Sequence, residues 1–303
     1  MQYVVVAENG KSALELVGAA QTQGAERIMA ILGCPDGSDS LASSGIDKVI
    51  VVSFPSGVVK DAIVEVVVEQ AKAAGEATIL FGSDKRLVNV AGLCAQRLGT
   101  IPVVDVRKIE DGAAFHMLYG GKAMVGERPR GSYSVFVMQG GAYGPAAIGG
   151  SPCMVETVEA PQISGIAFVE TKAKETQSVD LTAAKRIVSI GRGVNSQEGF
   201  AECVALKNAL AAEMGCTRPV TETENPLLER SLYIGASGVS CKPELFVSIA
   251  SSGQSQHTMG MYESGTVVAI DKNPDALFFQ QADYGIVGDY REVVPALVEA
   301  LGA

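Results

Sequence analysis

Three short apolar runs in the second half of the sequence, residues 245–250, 266–270 and 284–287, each lead into residues that could hold a polar ligand: Ser252-Gly253, Asp271 and Asp289. Runs of this length bounded by small or polar residues read as strands of an α/β sheet, and such sheets bind ligands at the carboxyl ends of their strands. Hydroxyls and backbone amides suit phosphate, and carboxylates suit ribose hydroxyls, so the spacing outlines a nucleotide cofactor site. Gln256 and His257 fall on the helix expected after the first run and bring an amide and an imidazole to the same edge.

Upstream, residues 186–190 form another β-prone run that ends in Gly191-Arg192-Gly193. Glycines in a strand-to-helix turn answer a backbone need. The guanidinium of Arg192 at the mouth of a sheet could neutralise a diphosphate or lie solvated at the surface. A helix is expected over residues 197–214, followed by a turn carrying Thr217 and Arg218. In the first half, Gly82-Ser83-Asp84 precedes a helical pattern and reads either as an anion cradle or as an ordinary helix cap.

The rest of the chain must position these groups. Residues 2–8, 27–32, 48–52, 78–81 and 103–106 read as strands, with helical spacing over 11–23, 59–74 and 86–98. That alternation implies βαβ units and a mainly parallel sheet. Residues 114–147 are β-prone segments broken by glycine, among them Tyr119-Gly120-Gly121-Lys122 and the run over 132–137, and are expected to extend the sheet edge in antiparallel fashion. A division is expected near residue 184. It separates an N-terminal α/β domain, residues 1–183, that acts as scaffold and partner surface, from a cofactor-binding domain, residues 184–303.

With 47% hydrophobic and 19% charged residues, the composition is that of a folded chain with a large core. A net charge of -10 argues against a general nucleic-acid or anionic-membrane surface, which requires a basic footprint. The chain passes from Met1 straight into a strand-like run, without the basic start of a secretory signal, and residues 64–68, the most apolar run, fall far short of the ~18 residues that span a bilayer. A cytoplasmic protein without membrane insertion is expected. Cys34, Cys94, Cys153, Cys203, Cys216 and Cys241 form no CxxC pair, and His116 and His257 are the only histidines, so neither a metal site nor thiol chemistry is expected.

Several motifs together resemble the α subunit of electron transfer flavoproteins. They are Gly191-Arg192-Gly193, Thr217-Arg218, Gly235-Ala236-Ser237-Gly238, Pro243-Glu244-Leu245-Phe246, Ser252-Gly253 with Gln256-His257, Gly260-Met261, and the block over residues 282–289. The resemblance implies an N-terminal parallel-sheet, nucleotide-hydrolase-like domain and a C-terminal doubly wound domain that binds FAD. It also implies a β subunit as heterodimer partner and a dehydrogenase as electron donor or acceptor. Arg218 would lie against the flavin ring, Ser237 would offer its hydroxyl to flavin N5, and His257 would donate to the pyrimidine edge. Ser252 and Gly253 would hold the diphosphate, and Asp289 would meet the adenosine end. Arg192, Thr217, Ile234, Gly235, Ala236, Gln254, Ser255, Gln256, Asp271 and Tyr290 complete the implied contact set.

The chain departs from the family pattern at Ala236-Ser237, where Gln-Thr is usual, at Asp271, where Asn is usual, and at Ala250-Ser251, where Gly-Ile is usual. The function implied is electron transfer through FAD without conversion of a substrate by this chain alone. Two other functions compete with it. A flavin- or NAD-dependent oxidoreductase would need its own general acid or base, and a nucleotide-binding scaffold without redox chemistry would accord with the departures.

Overall fold

The apolar run after Met1 forms the first strand, Gln2–Ala7 (β1), buried over all but its first residue, as a parallel strand covered on both faces should be. A computed structural model describes residues 1–119, 123–170 and 179–302. The chain forms two compact units, Met1–Lys172 and Ala173–Ala303. Of the expected segment Tyr119-Gly120-Gly121-Lys122, the last three residues lie outside the described residues.

In the first unit β1 is followed by Gly10–Thr22 (α1), Arg27–Leu32 (β2), Ser38–Ala42 (α2), Lys48–Ser53 (β3), Ile63–Ala74 (α3), Ala77–Phe81 (β4), Lys85–Leu98 (α4) and Pro102–Val106 (β5). The helix α1 begins at Asn9, whose side chain accepts from Ser12 N at 2.9 Å while the Ser12 side chain returns to Asn9, a reciprocal cap. Lys108–Glu110 (β6), Ala113–Leu118 (β7) and Ala123–Glu127 (β8) form a separate three-stranded antiparallel sheet. Tyr133–Met138 (β9) and Met154–Glu159 (β10) return to the main sheet, whose order is β10-β3-β2-β1-β4-β9-β5. The described pairings within that sheet are parallel.

This corrects the expectation of an antiparallel edge over 114–147. The antiparallel strands stand as their own sheet, whereas β9 lies between β4 and β5 and runs parallel to both. The reason is in its residues: Val135, Phe136, Val137 and Met138 are consecutively buried, the pattern of an interior strand rather than of an alternating edge. Two apolar layers cover the sheet, one through Leu16 and Leu41 and the other through Val67 and Val90.

The second unit contains Arg186–Ile190 (β11), Gln197–Ala209 (α5), Glu213–Cys216 (β12), Arg218–Thr221 (α6), Leu245–Ile249 (β13), Ser255–Thr258 (α7), Thr266–Asp271 (β14), Tyr284–Val287 (β15) and Tyr290–Ala300 (α8). Its five strands are all parallel in the order β12-β11-β13-β14-β15. The expected helix over 197–214 is therefore too long. It ends at Ala209, Ala211 turns into left-handed backbone (φ 46°), and Ala212 N bonds back to Lys207 O at 2.9 Å, after which β12 forms the sheet edge. No glycine marks that ending.

Candidate cofactor-binding site

The sheet of the second unit winds outward in both directions from the pair β11 and β13, so the crevice at the carboxyl ends of these two strands is its topological switch point. The two strand ends interlock there. Gly191 N donates to Ile249 O at 2.8 Å and Gly193 N to Ala250 O at 3.2 Å. A Cβ on Gly191 would fall 2.1 Å from Ala250 O, so this turn tolerates no side chain at its first position. Arg192 is thereby carried outward, exposed, on a rigid turn. Ala250 holds left-handed backbone (φ 51°), which an L side chain adopts at a cost and glycine does not.

Beyond Ala250, Ser251 is buried and Ser252 is exposed. Gly253 (φ 78°) then passes so close beneath Phe278 that a Cβ would meet Phe278 N at 2.2 Å. The chain emerges into α7, where Gln254, Ser255 and Gln256 present polar groups to solvent and His257 turns inward. At one turn, α7 is too short to add much dipole; the hydroxyls, side-chain amides and loop amides themselves supply the donors.

His257 is 5% exposed and packs beside the stacked rings of Phe246 and Phe278, at 6.2 and 6.0 Å between centroids. Its Nδ1 is 2.8 Å from Ile234 O. A carbonyl can only accept, so Nδ1 carries the hydrogen. Burial lowers the imidazole pKa, against a smaller opposing effect of that hydrogen bond, and the neutral ring leaves Nε2 as an acceptor. That nitrogen is buried without a partner. A hydrogen bond donated from Nε2, as the resemblance implies, requires the protonated ring.

The segment that holds His257 also closes the crevice. Ile234 N donates to Cys216 O at 3.0 Å and Ala236 N to Gln256 O at 2.7 Å, tying this loop both to the end of β12 and to α7. Ala236 and Ser237 remain exposed. Thr217 is buried, with its N bonded to Ile190 O at 3.0 Å. Arg218 is exposed, its Nε 2.7 Å from Glu222 Oε1, and Arg230 approaches the same oxygen at 3.6 Å. Arg192, Thr217, Arg218, residues 234–237 and residues 252–257 thus converge on the carboxyl ends of β11, β12 and β13.

Asp271 ends β14 and Asp289 follows β15, farther along the same edge. Each carboxylate already serves its own loop: Asp271 Oδ1 accepts from Asn273 N at 2.8 Å, and Asp289 Oδ1 accepts from Arg291 N at 3.0 Å as the cap of α8. Tyr290 points away from the edge into the core, where its hydroxyl lies against Gly199 of α5. Sequence reasoning passed over Ser189 and Ser248. They are register partners on β11 and β13, both buried, and neither Oγ has a partner. A small hydroxyl residue inside each of two apolar strands was the available signal. Phe278, which covers Gly253 and flanks His257, gave none, because the chain brings it there from 25 residues beyond Gly253.

Comparison with known proteins bears on this geometry. The family model described as "Electron transfer flavoprotein domain" matches residues 4–163, and the one described as "Electron transfer flavoprotein FAD-binding domain" matches residues 180–262. Proteins called "Protein FixB" from Escherichia coli O139:H28 (strain E24377A / ETEC) and from Escherichia coli strain K12 / DH10B are each 41% identical over 198 residues. The aligned stretch covers 64% of this chain and 63% of each relative.

The residues present fit FAD. Arg192 stands exposed at the switch-point edge with the hydroxyl and amide groups of residues 252–256, a donor set for a diphosphate. Arg218 stands exposed at the neighbouring end of β12, and the unpartnered Nε2 of His257 is a buried polar atom in need of a partner. Among the described residues there is no cluster able to hold a metal and no helix long and apolar enough to cross a membrane. With matches to both of its domain models and an FAD-type edge on the second sheet, the chain belongs to the electron transfer flavoprotein family, as an α-type subunit.

Proposed function

We propose that this chain binds one FAD at the carboxyl edge of β11, β12 and β13 and acts, with a β subunit, as an electron carrier between a dehydrogenase and a downstream acceptor. The observation that carries the proposal is the interlocked switch point, which sets Arg192 and the polar residues 252–256 on one rigid edge. FAD, when bound, supplies the one- and two-electron chemistry. The chain supplies the setting. Arg192 and the Ser252–Gln256 stretch would hold the diphosphate, and Asp271 and Asp289, each with one oxygen engaged by its own loop, would offer the other to the ribose and adenosine end. Arg218, always protonated, sets a fixed positive charge beside the ring, moderated by Glu222. The Nδ1 contact to Ile234 O fixes the His257 ring, whose Nε2 accepts a hydrogen bond while the ring is neutral.

The cofactor contacts fall within residues 184–303, leaving residues 1–183 for partner contacts. A substrate-converting oxidoreductase would need an acid or base free to exchange protons at the site. His257, held by Ile234 and depressed in pKa by burial, suits a positioning role better. The six cysteines are free, and burial pushes the thiols of Cys94, Cys203, Cys216 and Cys241 up to about 12. Such inert thiols accord with a reducing, cytoplasmic setting. The test is the visible spectrum of the chain copurified with its β subunit. Flavin bands that a dehydrogenase and its substrate bleach, and that an acceptor restores, are expected; a colourless heterodimer would contradict the proposal.

A further inference from the structure

A cavity of about 140 Å³ opens in the first unit among α1 and the loops that follow β4 and β9. It lies beside β1 and β4, where the strand order of the first sheet reverses and where sheets of this winding take ligands. Its lining is of two kinds. Leu16, Met138 and the ring of Tyr143 make an apolar wall, and Glu15, Ser83 and Asp84 bring polar groups. Part of the lining is fixed in advance: the Tyr143 hydroxyl accepts from Ile109 N at 2.7 Å, and Glu15 Oε2 accepts from Gly141 N at 2.8 Å.

Asp84 differs from these. It occupies the cap position of α4 at the exposed rim of the cavity, where its side chain makes no cap bond to the helix and turns back to its own backbone N–H. Burial, together with the Glu8 carboxylate, raises its pKa above the ordinary carboxylate range. Arg86, which acts the other way, is engaged by Glu8 and by the Lys60 carbonyl. Among the described residues no lysine or arginine lines the cavity, so its two carboxylates would repel a phosphate with no cation there to offset them.

We propose that this cavity binds a cationic group on a short apolar stem, an alkylammonium or alkylguanidinium, with the stem along Leu16 and Met138 and the charge beside Glu15 and Asp84. The size is in accord, since an apolar cavity of about 150 Å³ accommodates a single benzene ring, comparable to a chain of about four carbons. The group could belong to a free amine or to a basic side chain of a partner protein. The proposal is independent of the FAD site.

An amide chemical-shift titration of the full chain tests it, with n-butylammonium as probe, 1-butanol as its neutral counterpart and N-acetyl-lysine N-methylamide as the side-chain counterpart. Shifts are expected at Gly82, Ser83 and Gly140, with n-butylammonium binding at least tenfold more tightly than 1-butanol. Asp84→Asn combined with Glu15→Gln should abolish that preference; the side-chain amide introduced by Glu15→Gln keeps an oxygen that can accept from Gly141 N, and an unchanged thermal midpoint would show that the fold survives. Binding of the lysine derivative as well would support a protein side chain as the source, and its failure beside bound n-butylammonium would support a free amine. Equal affinities for n-butylammonium and 1-butanol, a preference that survives both substitutions, or no shifts with either cation would overturn the proposal.

Discussion

The carboxyl ends of β1 and β4 in the first unit and of β11 and β13 in the second are the same feature of two sheets, the neighbouring strands at which the winding reverses. Their chemistry is opposite. At the second, Arg192 stands exposed with hydroxyls and amides, and Arg218, paired with Glu222, follows at the neighbouring end of β12. At the first, Glu15 and Asp84 line a small cavity and the nearby Arg86 is neutralised by Glu8. Winding therefore provides a place for a ligand, and the charges on the loops decide which ligand can use it. The loops also differ in how tightly they are built: Gly191 and Gly253 each meet backbone within 2.2 Å of where a Cβ would lie, whereas a Cβ on Gly82 would meet only side-chain atoms, at 3.5 Å or more.

The largest expected effect uses that difference. Gly253→Ala imposes left-handed backbone on a Cβ and drives it into Phe278 N, at a cost of about 2–4 kcal/mol to the second unit. Gly82→Ala should change stability by less than about 0.5 kcal/mol. Urea unfolding of the two full-length variants measures both, and similar losses would remove the contrast in loop construction.

Next comes the charge at the flavin edge. Arg218→Ala should lower the first reduction potential of the FAD-loaded heterodimer, with Arg218→Lys between it and the parent. The shift should stay below the ~59 mV of a tenfold change in a one-electron equilibrium, because solvent and Glu222 screen the guanidinium. Spectroelectrochemical titration reads it, and identical potentials would separate Arg218 from the ring.

Ala250→Gly should act in the stabilising direction. It relieves left-handed backbone at the end of β13, worth ~1–2 kcal/mol, less the ~0.5–1 kcal/mol of added chain entropy, for a net gain of about 0.5–1 kcal/mol in urea unfolding. The smallest effect is expected for Asp271→Asn. Its remaining oxygen can still accept from Asn273 N, so the turn should survive, and loss of the charge should loosen FAD only about two- to fivefold, within the ~1 kcal/mol of one ordinary hydrogen bond. Tighter binding measured by flavin fluorescence would mean that the carboxylate repels the diphosphate.

Much of the second sheet was legible in the residues, whereas the acidic cavity of the first unit was not: Gly82-Ser83-Asp84 reads as an anion cradle or an ordinary cap. The three apolar runs that end at Ser252-Gly253, Asp271 and Asp289 became β13, β14 and β15, because short runs between small and polar residues have few other ways to be buried. The end of α5 was not legible, since it rests on left-handed Ala211 and no glycine announces it. The apolar run over 135–138 marks β9 as an interior strand, but its neighbours β4 and β5 are chosen by long-range pairing that no local pattern records. At the site, residue types and order were readable, but the hydrogen on His257 Nδ1 depends on Ile234 O, 23 residues away in sequence. The inward turn of Tyr290 likewise depends on Gly199.

FAD is expected to use the second switch point and not the first. Visible-absorbance titration of FAD into the flavin-stripped chain with its β subunit tests this directly, comparing the parent, Arg192→Ala and the double substitution Glu15→Gln with Asp84→Asn. Loss of one hydrogen-bonded charge pair costs ~1.5–3 kcal/mol, so Arg192→Ala should raise the FAD dissociation constant by about tenfold or more, while the double substitution in the first unit leaves it unchanged. Weakened binding in the first-unit variant, with none in Arg192→Ala, would contradict it.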